Sequence, residues 1–139
     1  MSYLIAYITV LVVFGAIDAT WLSTMGPILY RPALAEILAP SLRLAPAIAF
    51  YLMYPIGVVV FAVTPALRAG SVATGFALAL LFGAIAYATY DLTNYATLRV
   101  WTLQITVADI LYGAFASGVA ATAAVLLVRF TTRGILSAS

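Results

Sequence analysis

Four apolar runs of about 20 residues dominate this chain, each long enough as an α-helix to cross roughly 30 Å of hydrocarbon. They fall at about Tyr3 to Ser23, Ala45 to Thr64, Val72 to Tyr95 and Leu103 to Val128. Six arginines and four acids are all the charge that 139 residues carry. Such a surface cannot be solvated by water, so the solvent for most of the chain is lipid. In lipid each backbone N–H and C=O must be paired within the chain, which leaves helices for runs of this length. The expected fold is therefore all-α: an integral membrane four-helix transmembrane bundle forming one domain over 1–139.

The opening "MSYLIAYITVLVVFGAIDATWL" lacks a basic leader and a clear small-residue cleavage site. It reads as a retained helix rather than a signal peptide. "TPALRAG" reads as a tight loop, with Pro65 ending the second span and Gly70 loosening the chain before the third. "GPILYRPALAEILAPSLRL", Gly26 to Leu44, mixes Pro27, Pro32 and Pro40 with Arg31, Glu36 and Arg43. A short interfacial helix at about Pro32 to Leu38, between helices 1 and 2, fits it best. Ser137 to Ser139 is expected to fray.

Cysteine and histidine are absent. Thiolate metal sites, disulfides, the usual haem and zinc ligands and the commonest general base go with them. No cofactor is expected. The scattered arginines make no basic patch, so nucleic acid is not a partner; the lipid bilayer is. Four spans put both termini on one side, called terminal here, with the other called distal. Arg68, Arg129 and Arg133 fall on the terminal side and Arg31, Arg43 and Arg99 on the distal side. The positive-inside rule nearly ties, tipping towards cytoplasmic termini through the two arginines at the last helix end, and a tie is compatible with insertion both ways.

The polar residues concentrate in "AYATYDLTNYATLRVW", residues 86 to 101. At 1.5 Å per residue Asp18, Asp91 and Asp109 all sit at roughly 9 Å depth in the distal leaflet. Tyr51 and Tyr54 on the second span match that depth. Tyr87, Asp91, Asn94 and Leu98 share a helix face, as do Thr106, Asp109, Tyr112 and Gly113; Tyr90, Thr93, Thr97 and Trp101 follow an adjacent face. An unpaired aspartate within a span is costly, so all three should face inward. The expected pocket is Asp18, Tyr51, Tyr54, Tyr87, Asp91, Asn94, Asp109 and Tyr112, flanked by Trp21, Arg31, Arg99 and Trp101. The two arginines could snorkel in from the distal interface. The tryptophans read first as interface anchors. "YDLTN" offers oxygens suited to Mg²⁺ or Ca²⁺, but the motif is short and no metal is assigned to it. "DATW" and "DLTN" echo each other weakly, hinting at two related hairpins. Gly75, Gly83 and Ala86, with Gly113, Ala116, Ser117, Gly118, Ala120 and Ala121, read as close-packing faces. Pro55 should kink the second helix beside the layer.

The blocks "FYLMYPIGVVVFAVTPALRAGS", "LFGAIAYATYDLTNYATLRVW" and "TVADILYG", with "DATWL" and "LYR", resemble the bacterial membrane-protein family catalogued as domain of unknown function 2177. The resemblance covers nearly the whole chain. Tyr112, where similar sequences often have tryptophan, and "VWTLQ", where glycine and proline are common, depart from it. It implies a small multi-pass protein of the bacterial inner (cytoplasmic) membrane, and no activity.

Three functional readings are open. The first is binding or transport of a cation or small polar solute in the acid-lined pocket, which for transport needs a homodimer. The second is a structural or assembly subunit held to a partner membrane protein by its small-residue faces. The third is a membrane lipid-modifying enzyme, which the lack of His, Cys, Lys and a serine in a nucleophile setting disfavours.

Overall fold

The structure, a computed structural model, describes the backbone of residues 1–137 and the side chains of residues 1–132. The Arg133 side chain and, of the expected frayed tail, Ala138 and Ser139 lie outside the described residues; Ser137 ends the last helix. Four long helices make up the fold, with no strand among the described residues. They are α1 (Ser2–Leu34), α2 (Leu44–Ala69), α3 (Val72–Thr97) and α4 (Leu103–Ser137). All four are long and apolar enough to cross a membrane. Their outward faces carry large apolar side chains, such as Leu80, Leu81 and Ile85 on α3 and Leu111, Phe115 and Phe130 on α4.

Packing runs in a ring. α4 packs most extensively on α3 and then on α1, and α2 closes the circle against both α3 and α1. Small residues set the α3–α4 approach. A methyl on Gly83 would strike the Gly113 carbonyl and the Ser117 side chain, and one on Gly113 would enter the Tyr87 ring. Ala116, Ser117, Ala120, Ala121 and Ala124 are completely buried. With lipid as apolar as leucine, close backbone approach and dispersion supply what burial from water would supply in a soluble fold. The terminal half of the bundle is an apolar core around Val10, Val63, Ala66 and Val125.

Prolines do not end the helices where the sequence suggests. α1 passes through a π-helical turn at Gly26–Tyr30 and continues to Leu34, and α2 does the same at Val59–Val63 and continues to Ala69. The Arg31 N–H bonds the Gly26 carbonyl and the Thr64 N–H bonds the Val59 carbonyl, each spanning one residue more than an α-helical bond. The wider turn makes room for the rings of Pro27 and Pro32 in one helix and Pro65 in the other. The short helix before the second span is thus Arg31–Leu34 rather than Pro32 to Leu38, and it is the end of α1 rather than a separate element. "TPALRAG" is likewise one more helical turn. The chain reverses only at Gly70, whose φ of 62° lies in the left-handed region. There the N–H of Ser71 bonds the Ala66 carbonyl at 3.1 Å and that of Gly70 bonds Leu67 at 3.3 Å, a Schellman closure. Ser71 then caps α3 through the Thr74 N–H, and Thr102 caps α4 through the Ile105 N–H, both at 3.2 Å.

Candidate functional site

Each span contributes to one polar layer in the distal half. Asp18 on α1 accepts hydrogen bonds from the hydroxyls of Tyr51 on α2 and, at 2.8 Å, Tyr112 on α4. Asp109 on α4 accepts one from Tyr30, whose hydroxyl in turn accepts the indole N–H of Trp21 at 2.7 Å. Trp21 stacks on Tyr112, ring centres 4.3 Å apart, so the two acid clusters share a wall. Tyr54 lies one step deeper. The Ser117 hydroxyl spends its proton on the Gly113 carbonyl, so Tyr54 donates to Ser117 at 2.7 Å. Tyr87 fills the space between, edge-on to both Tyr54 and Tyr112.

Asp91 on α3 is different. It is 0% exposed, and neither carboxyl oxygen has a hydrogen-bond partner among the described residues. The carboxyl of Asp109 is a polar neighbour.

A cavity of about 380 Å³ opens over this layer. Asp18, Asp109 and Asn94 give it polar walls, and Trp21, Tyr30, Tyr87, Tyr90, Trp101 and Tyr112 give it aromatic ones. The end of α1 roofs it. Leu29 and Leu34 pack on Trp101 and Ile105 in a second small core, and Leu34, Ile37 and Leu38 border the opening. A larger groove of about 670 Å³ runs along the α1–α4 surface past Ala16, Thr20 and Phe115. Its walls are nearly all apolar, as a lipid-facing groove requires, and none of the three aspartates lines it.

The chain belongs to the predicted membrane protein family DUF2177. The family match spans residues 3–126, which contains every residue of the layer. No curated protein and no solved structure matches.

In this DUF2177 protein five of the eight expected pocket residues, Asp18, Tyr87, Asn94, Asp109 and Tyr112, line the cavity, and Tyr51, Tyr54 and Asp91 do not. Tyr51 and Tyr112 both donate to Asp18, while Asn94 lines the cavity with no side-chain hydrogen bond among the described residues and Asp91 is fully buried with neither oxygen bonded. The arginine partners do not materialise: Arg31 and Arg99 are exposed, and tyrosine hydroxyls satisfy Asp18 and Asp109 instead. Trp101 is only 8% exposed and Trp21 is half-buried, so both are cavity walls rather than anchors in a lipid interface. The threonines of the 86–101 block leave the layer altogether. Thr89, Thr93 and Thr97 each donate to the carbonyl four residues back on their own helix, as Thr20 and Thr106 do on theirs. The "DATW" and "DLTN" echo is thus a shared back-bonding threonine, while Asp18 and Asp91 have opposite surroundings.

Tyr30 is the site residue that sequence reasoning missed. From Asp18 it is twelve positions along, about 120° round an unbroken α-helix. The extra residue taken up by the π-helical turn brings it back to about 20° from the Asp18 face. The clustering of glycine and proline at 26 and 27 was the available signal, and it reads more simply as a break. Ser117, seen as packing alone, is also the partner of Tyr54.

Proposed function

We propose that the protein binds a cation or small polar solute in the distal cavity, within a bacterial inner membrane. The carrying observation is that Asp18 and Asp109 line an open cavity while, among the described residues, no cationic side chain neutralises them. Buried or half-buried carboxylates in a span are expensive without countercharge, and a bound cation supplies it. The helical build supports the inner membrane, since proteins that cross the bacterial outer membrane do so as β-barrels. Transport is the extension of the same reading. It calls for a second copy of the chain, because the terminal half of this bundle is filled by Val10, Val63, Ala66 and Val125 and offers no path.

The test is the melting temperature of the detergent-purified protein across cations, metals, amines and lipids, with Asp109→Asn beside it. A ligand that binds the folded state raises the melting temperature by mass action. At least one compound should stabilise the wild type and not the variant. If none does, or if the variant responds equally, the cavity is not a binding site.

A further inference from the structure

We infer, on the footing that the distal cavity is a binding site, that its ligand is a small organic ammonium ion rather than a bare metal ion or an anion. The sign of the charge comes from the walls: two aspartates line the space and, among the described residues, no arginine does. The diffuse character of the charge comes from what else lines it. Hard cations take six or more oxygen ligands. Here both oxygens of Asp18 are already occupied by tyrosine hydroxyls, and among the described residues no group of three or more acidic, histidine or cysteine ligands stands together.

Aromatic rings supply the remaining surface. Tyr87 meets Tyr112 at 78° with centres 5.9 Å apart, and Tyr90 meets Trp101 at 85° and 5.5 Å. Rings set nearly at right angles make two corners, and ring faces attract a weakly hydrated cation that carries alkyl groups. A volume of about 380 Å³ suits a ligand of several heavy atoms better than a dehydrated ion. Trp101 adds aromatic surface to that wall, while its indole N–H is shut away from the cavity.

The only two tryptophans of the chain, Trp21 and Trp101, both wall this cavity, so intrinsic fluorescence reports its occupancy without a label. The probes are choline, its uncharged carbon isostere dimethylbutanol, tetramethylammonium, sodium and magnesium, titrated at constant ionic strength into purified protein. Choline and tetramethylammonium should each give a saturable change, and the uncharged isostere none. Asp109→Asn should weaken choline about tenfold, the loss of one charge-assisted contact. The comparison among probes uses the wild type alone, so it stands even where the variant does not fold. Equal responses to choline and its uncharged isostere overturn the inference. Saturation by sodium or magnesium with none by either ammonium overturns it too, while leaving the cavity a cation site. Silence from every probe counts against both the ligand class and the binding reading, and silence in the melting-temperature panel as well removes the latter.

Discussion

The hydroxyl of Tyr112 on α4 donates to Oδ1 of Asp18 on α1 at 2.8 Å, across 94 residues of sequence. The same ring is stacked on Trp21. Tyr112 thus joins an acid, an aromatic wall and two helices through one side chain.

Replacing Tyr112 by phenylalanine separates those contributions. The ring and its stack on Trp21 survive, and Asp18 keeps only the Tyr51 hydroxyl. Interhelical hydrogen bonds in membranes average below 1 kcal/mol, and bonds to a charged group run higher, so Tyr112→Phe should cost about 1 kcal/mol. Unfolding in mixed micelles measures it. A loss too small to detect would mean that Asp18 finds another donor.

Asp91→Asn tests the opposite case. Asp91 is wholly buried with neither oxygen hydrogen-bonded, and an amide of the same shape brings a donor. The variant should be as stable as the wild type or more so, by on the order of 1 kcal/mol. A steep fall in melting temperature would show that the carboxyl group itself holds α3 in register.

The glycines divide sharply. Gly83→Ala drives a methyl into the Gly113 carbonyl and Ser117, where backbone cannot yield, and should cost about 1–3 kcal/mol. Gly15→Ala meets nothing within 4 Å and should be neutral or slightly stabilising, since alanine is the better helix former. Equal effects in a thermal melt would contradict the close α3–α4 contact.

Because the chain has no cysteine, single replacements can be labelled without background. Asn94→Cys on the cavity wall and Leu38→Cys at its mouth should react with a membrane-impermeant maleimide from the same side. Ala124→Cys, in the filled terminal half, should stay unlabelled. Labelling of Asn94→Cys and Leu38→Cys from opposite faces, or of neither, would show that the cavity does not open past the end of α1.

Much of this architecture is legible in the sequence. Run length and hydropathy are one-dimensional, and at a fixed rise per residue they give four spans and the depth of every acid. That is enough to place Asp18, Asp91 and Asp109 in one layer with Tyr51, Tyr54, Tyr87 and Tyr112. The stripe at Gly113, Ala116 and Ser117 likewise announces a close contact, because small residues in lipid have little other use.

Only the tertiary structure decided who pairs with whom. Tyr51 and Tyr112, rather than Arg31 or Arg99, satisfy Asp18 because the order of helices round the bundle brings hydroxyls to it and leaves the guanidinium groups outside. Tyr30 reaches Asp109 because one extra residue in a π-helical turn rotates the end of α1 by about a quarter of a turn, and that choice depends on the neighbours it packs against. Trp101 is a cavity wall because the same extension lays Leu29 and Leu34 over it. Depth is a property of each helix by itself, whereas facing direction and partner are properties of the packed bundle, and the acid-lined cavity exists only in the second.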